Sequence, residues 1–116
     1  MNEIYLANNT TFNCPVEATT SLIGKKWVPS ILMLLADKPY RFGQLQAALT
    51  KCSKKVLKQQ LNLLSASDLI SNTKATVANT VESTYQLTPL GQSLMPIVFA
   101  MKHWGNQHLI CNRESA

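Results

Sequence analysis

The chain has 116 residues, 46% hydrophobic and 15% charged, which suits one globular domain with one core and argues against disorder. Its net charge is +5, and the excess is local: between positions 24 and 59, Lys25, Lys26, Lys38, Arg41, Lys51, Lys54, Lys55 and Lys58 stand against Asp37 alone, which points to a polyanionic partner. No stretch has the length of a membrane span, no basic start leads into an apolar run, and Cys14, Cys52 and Cys111 share no CxxC spacing, so the expectation is a cytoplasmic protein with reduced thiols and neither cofactor, zinc site nor disulfide framework.

Residues 1–13 are polar with Ile4, Tyr5, Leu6 and Phe12 interspersed, and read as an arm that packs on a partner subunit. Cys14-Pro15 opens a first helix, because proline suits a first helical position whose N–H would be unpaired anyway, and Gly24 closes it. Residues 28–36 are the most apolar segment and the expected central helix; Pro29 falls in its first turn, and Trp27 just before it reads as a core anchor. A break at 37–40 precedes a short helix over 41–49, with Phe42, Leu45, Ala48 and Leu49 as its apolar positions.

After a turn at 50–52 comes the helix over 53–66. Ser53 is placed as its N-cap, and Leu57, Leu61 and Leu64 form one apolar stripe. Lys54, Lys55, Lys58, Gln59, Gln60 and Asn62 lie off that stripe, and no Asp or Glu occurs between Lys38 and Ala66. A merely solvated face would mix Glu with Lys for i, i+4 pairing. Lysines and amides without acids suit phosphates and the major-groove edges of guanine and adenine. A short helix, a tight turn and a second helix with such a face is the helix-turn-helix pattern.

Residues 69–74 and 84–88 read as two strands joined through a turn at Ala78-Asn79-Thr80, a wing whose one cation is Lys74. Pro89 starts the last helix. Leu90, Leu94, Ile97, Met101 and Trp104 recur as a sustained seam with Val98 and Phe99 beside it, and Pro96 is expected to kink it. So broad an apolar helix exceeds what a small core can bury, so Leu94, Ile97, Val98, Met101 and Trp104 are expected to meet a second copy. The organisation is thus an arm (1–13), a winged helix-turn-helix domain with a C-terminal dimerisation helix (14–110) and a loose tail (111–116). The fold is mainly α with a small β-hairpin.

In this order the chain resembles winged helix-turn-helix regulators of the HxlR type, within the MarR-like superfamily. The resemblance is carried by Cys14-Pro15-Val16-Glu17, Ile23-Gly24-Lys25-Lys26-Trp27, Tyr40-Arg41-Phe42-Gly43-Gln44-Leu45, Ser53 with Lys55, Leu57 and Leu61, Tyr85-Gln86-Leu87-Thr88-Pro89-Leu90-Gly91, and Leu94-Met95-Pro96-Ile97 with Trp104-Gly105. It departs at Lys25 and Asp68, where glycine is usual, at Gln60, where arginine is frequent, and at Glu82-Ser83-Thr84-Tyr85 in the wing; Asp68 still tolerates the left-handed backbone needed there. The resemblance implies a homodimer built on terminal helices, binding double-stranded operator DNA. It also implies, for several relatives, sensing of oxidants or electrophiles through the cysteine before the proline, here Cys14.

The expected DNA contacts are Arg41, Ser53, Lys54, Lys55, Lys58, Gln59, Gln60 and Lys74. Cys14 and Cys52 each sit at a helix start, where N–H dipoles favour a thiolate, and Lys51, Lys54 and Lys55 add charge near Cys52; the alternative for either is a small buried hydrophobe. A Cys14–Cys52 bond between subunits would need Cα atoms within about 7 Å. Two other readings compete: a winged helix that docks another protein, and a regulator answering to a small non-redox ligand. An enzyme is not expected, because His103 and His108 have no carboxylate pair, nucleophile–base set or phosphate loop beside them.

Overall fold

Residues 3–111 are described by the structure, a computed structural model. Within the segment read as an arm, residues 5–12 fold back on their own chain. Residues Tyr5–Ala7 (β1) and Thr10–Phe12 (β2) form an antiparallel hairpin that packs on the first helix. Its two-residue turn places Asn8 and Asn9 in the left-handed region at φ 53° and 58°, which asparagine tolerates and hairpins require. The Asn8 side chain then ties the turn down: Nδ2 donates to Ser21 O at 2.7 Å, and Oδ1 accepts from Ser67 Oγ at 3.2 Å.

Helix α1 spans Pro15–Ile23, with Cys14 as an N-cap whose side chain makes no capping bond. Gly24 ends it by donating its N–H to Thr20 O at 2.7 Å; a Cβ there would meet that same oxygen at 2.7 Å. Helix α2, Val28–Asp37, buries Val28, Ile31, Leu32 and Leu35 on one face. Its N-cap Trp27 sits at φ 76°, rare for a bulky residue, with the ring packed against the core as expected. Tyr40, read as the end of the break, and Arg41, read as the start of the short helix, instead form strand β3 (Tyr40–Arg41), which leads directly into α3, Phe42–Ala48. Leu45 and Leu49 are buried and Phe42 half-buried, but Ala48 is exposed, contrary to expectation: it lies on the side of this short helix turned from the core.

Helix α4, Lys54–Ala66, starts as the sequence implies. Ser53 Oγ accepts from Val56 N at 3.1 Å, and Leu57, Leu61 and Leu64 are buried. Asp68 at φ 60° ends the connection, with Leu69 N–H donating to Leu64 O at 3.0 Å. Strands β4 (Ile70–Val77) and β5 (Thr80–Leu87) are longer than expected, eight residues each, and turn through Ala78 and Asn79, both left-handed. The sheet has three antiparallel strands in the order β3-β5-β4, with Tyr40 opposite Tyr85 and Arg41 opposite Thr84. Helix α5, Pro89–His108, is capped by Thr88 Oγ1, which accepts from Gly91 N at 3.0 Å, and stays helical through Pro96. One core joins α2, α3, α4, the base of the sheet and the first half of α5.

Candidate nucleic-acid interface

The core stripe of α4 fixes what the helix presents outward. Lys55, Gln59 and Asn62, at i, i+4 and i+7, lie opposite Leu57, Leu61 and Leu64 and are exposed, as are Lys54 and Lys58 on the flank. Asn62 thus completes the outward row, an addition to the expected contacts. Gln60 is separated from that row. It is half-buried on the core flank, and its Oε1 is buried without a hydrogen-bond partner. The Ser53 hydroxyl oxygen holds the N-cap, leaving its O–H as the group able to reach a phosphate.

Arg41 begins α3, and its N–H donates to Gln44 Oε1 at 2.9 Å. Its guanidinium is not idle: Nη1 lies 3.2 Å from Glu82 Oε2 on the wing, the one ion pair among the described residues. Forty-one positions separate the two, so only the pairing of β3 with β5 brings them together. Lys74 is exposed midway along β4, opposite Ser83. The short helix, the turn, the acid-free outward face of α4 and the hairpin beside them form a winged helix-turn-helix.

A family profile described as HxlR-like helix-turn-helix matches residues 22–113. The chain belongs to the HxlR-like helix-turn-helix family. It is a DNA-binding transcription regulator, not an enzyme. The HTH-type transcriptional regulator YdeP of Bacillus subtilis is 34% identical over 96 residues, covering 82% of this chain and 73% of YdeP. The structure of the redox regulator HypR in its reduced form superposes with a TM-score of 0.77 at 30% identity, over 81% of this chain and 92% of that one. Reduced YodB from B. subtilis gives 0.72 at 28% identity, over 89% and 97%.

Within this HxlR-like chain the two sensor candidates part company. Cys52 is 4% exposed, in the turn between α3 and α4, with its N–H bonded to Leu49 O at 2.9 Å. Burial pushes its thiol pKa up, and Lys26 only partly offsets this. That direction runs against a ready thiolate at Cys52. Cys14 is half-buried at the start of α1. It neighbours Tyr5, whose hydroxyl is held above its usual pKa first by the hydrogen bond to Glu3, then by desolvation, then by Cys14.

The expected seam on α5 also divides. Leu94 and Val98 are 8% and 3% exposed and belong to the monomer's own core, so they are not free to meet a partner. Ile97, Met101 and Trp104, at 46%, 49% and 56%, remain outside with Leu90. Ile97 and Met101 join Pro15, Val16, Thr19 and Ile23 of α1 around a groove of about 430 Å³. No helix among the described residues is long and apolar enough to cross a membrane.

Proposed function

We propose that this regulator binds operator DNA as a homodimer, with α4 of each copy in a major groove and the two half-sites about one helical turn apart. The observation that carries this reading is the outward face of α4: Lys54, Lys55, Lys58, Gln59 and Asn62 exposed together, with no carboxylate on the helix. Lys55 and Lys58 serve phosphates or guanine, Gln59 serves adenine, and Arg41, Ser53 and Lys74 hold the backbone. Gln60, half-buried on the core flank, stands outside this contact set. The exposed row on α5 and the neighbouring surface of α1 form the dimer face.

Selection of bound sequences from random DNA tests the reading; recovery of a two-fold symmetric site is the expected result, and unselected sequences would sink it. Lys55→Ala should weaken operator binding several-fold and lower the salt slope by about one. An unchanged slope would remove Lys55 from the phosphates. Glu82→Gln should tighten binding by about two- to fivefold, since it frees Arg41 from a surface ion pair. In an Arg41→Gln background that gain should vanish; if it persists, Glu82 acts through general repulsion of DNA.

For the signal we propose the Cys14 thiol. HypR is a redox regulator solved in reduced and oxidized forms, and YodB has been solved after diamide treatment and with quinone bound. Support in this chain is the position of Cys14 at a helix start, partly accessible, next to a groove that begins at Pro15 and Val16. Diamide or quinone should modify Cys14 before Cys52 by mass spectrometry and change operator affinity. Cys14→Ser should abolish that response, and Cys52→Ala should keep it. A response that survives Cys14→Ser would end the proposal.

A further inference from the structure

The carbonyl ends of α1 and α4 come together at one side chain that the DNA-reading face does not use. Asn8 stands at the tip of the N-terminal hairpin, half-buried, at φ 53°. Its Nδ2 donates to Ser21 O at 2.7 Å, in the last turn of α1, and its Oδ1 accepts from Ser67 Oγ at 3.2 Å. Ser67 is the residue that caps α4, and its own N–H is bonded to Leu63 O at 3.0 Å. The last carbonyls of a helix lack intrahelical donors and carry its partial negative charge, so an amide N–H suits Ser21 O. Both ends of the Asn8 amide are therefore engaged, one by each helix.

The hairpin links this point to Cys14. Tyr5 pairs with Phe12 and Ala7 with Thr10, so the Asn8 turn closes one end of the ladder and Cys14 lies beyond the other. Cys14 is still in extended backbone, at φ −118° and ψ 123°, before α1 begins. β2 thus runs from the turn toward Cys14, and α1 runs back toward Ser21 with the hairpin packed on it. Among the described residues, the hydrogen bond from Ser67 to Asn8 is the one that joins this hairpin and helix to α4 or its cap. The connection after Ser67 seats other parts. Asp68 O accepts from Thr88 Oγ1 at 2.6 Å and Leu69 O from Thr88 N–H at 3.1 Å, where β4 and α5 both begin.

We propose that Asn8 is a positioning residue for operator binding: it sets the end of α4 against α1 and carries a displacement at Cys14 to the DNA-reading helix. The transmission rests on the reading of Cys14 as the signal; the positioning does not. Cys14 is half-buried at the junction of hairpin and α1, so a group added to its sulfur presses on both. Ser67 follows Asn8 when they shift. A small rotation of α4 then changes the aim of Lys55, Gln59 and Asn62, which share one row of that helix.

The test uses the whole protein with Cys111→Ser, which leaves Cys14 as the accessible thiol because Cys52 is buried. Benzoquinone labels it: the sulfur bonds a ring carbon, and the thiol proton ends on the resulting hydroquinone. Into this protein are placed Ser67→Ala, Asn8→Ala and, as the variant that keeps the hydroxyl, Ser67→Thr. Ser67→Ala and Asn8→Ala should speed amide exchange at Ser67, Asp68 and Leu69 about three- to tenfold, while the middle of α4 keeps its protection. Ser67→Thr should match the parent. Labelling of Cys14 should run at the parent rate in Ser67→Ala, but its effect on operator affinity should shrink to within about twofold of none. Unchanged exchange at residues 67–69 in both alanine variants would overturn the positioning. A labelling effect as large in both alanine variants as in the parent would overturn the transmission. A labelled parent that binds operator as before would instead sink the reading of Cys14, and the transmission with it, while the exchange rates still decide the positioning.

Discussion

Gly91→Ala is expected to destabilise the protein by about 3 kcal/mol or more, a large share of a small domain's stability. A Cβ built at Gly91 would lie 2.1 Å from Leu69 O, 3.1 Å from Leu69 C and 3.2 Å from Leu87 Cδ2. The first two contacts are backbone and cannot rotate aside. That carbonyl also accepts from Thr88 N–H at 3.1 Å, and Thr88 Oγ1 donates to Asp68 O, so α5 cannot lift away without breaking the bonds that seat its first turn. Gly43 provides the contrast. A methyl group added there would find nothing within 4 Å, so Gly43→Ala should stabilise α3 by roughly 0.5–1 kcal/mol through helix propensity alone. Urea unfolding of the two variants, with midpoints moving in opposite directions, checks both. A Gly91→Ala protein as stable as the parent would mean that α5 does not dock on the start of β4 as described.

The role of Gly91 shows which parts of this structure the sequence displays. As a letter it is one residue after Pro89-Leu90, readable as part of a helix start; its need for closeness depends on Leu69, far off in the chain. The same holds for Arg41 and Glu82. Arg41 is legible as a backbone-holding cation, but its partner is set by strand pairing across forty-one positions. Strand β3 escapes a reading by pattern because two residues carry no periodicity. The distal wing looks shorter in the sequence than it is because both of its faces meet solvent, which removes the alternation that marks a half-buried strand. The first hairpin does carry a signal: Asn8-Asn9 between runs containing Tyr5, Leu6 and Phe12.

Where a single helix faces one core, periodicity suffices. Leu57, Leu61 and Leu64 are buried and the lysines of α4 are not, so the candidate DNA-reading face is legible almost whole. Gln60 is the exception, because it sits at the edge of the buried stripe, where pattern alone cannot assign a side. On α5 the pattern cannot divide one broad apolar surface between core and partner. Leu94 and Val98 turn inward while Ile97 and Met101, close to them in sequence, stay out. For Cys52 the sequence offers both a helix-start thiol and a small buried hydrophobe. The dipole at a helix start is a local property, but the burial of Cys52 comes from the whole fold.

The division of α5 gives the second large prediction. On the proposed dimer, Met101→Glu should leave the monomer folded and part the two copies, with operator affinity falling by at least about a hundredfold. Met101 is 49% exposed, so the monomer loses little core, whereas a carboxylate covered in the proposed dimer face is desolvated without a partner. The fall in DNA binding is steep because two linked half-sites bind at high effective concentration and a lone α4 does not. Val98→Glu is the matching control: at 3% exposure it should unfold the chain rather than split a dimer. Sedimentation and circular dichroism separate the two outcomes, and operator titration reads the consequence. If Met101→Glu remained dimeric and bound DNA as before, the copies would have to meet elsewhere. The row of Leu90, Ile97, Met101 and Trp104, with the α1 groove beside it, would then be left without an occupant.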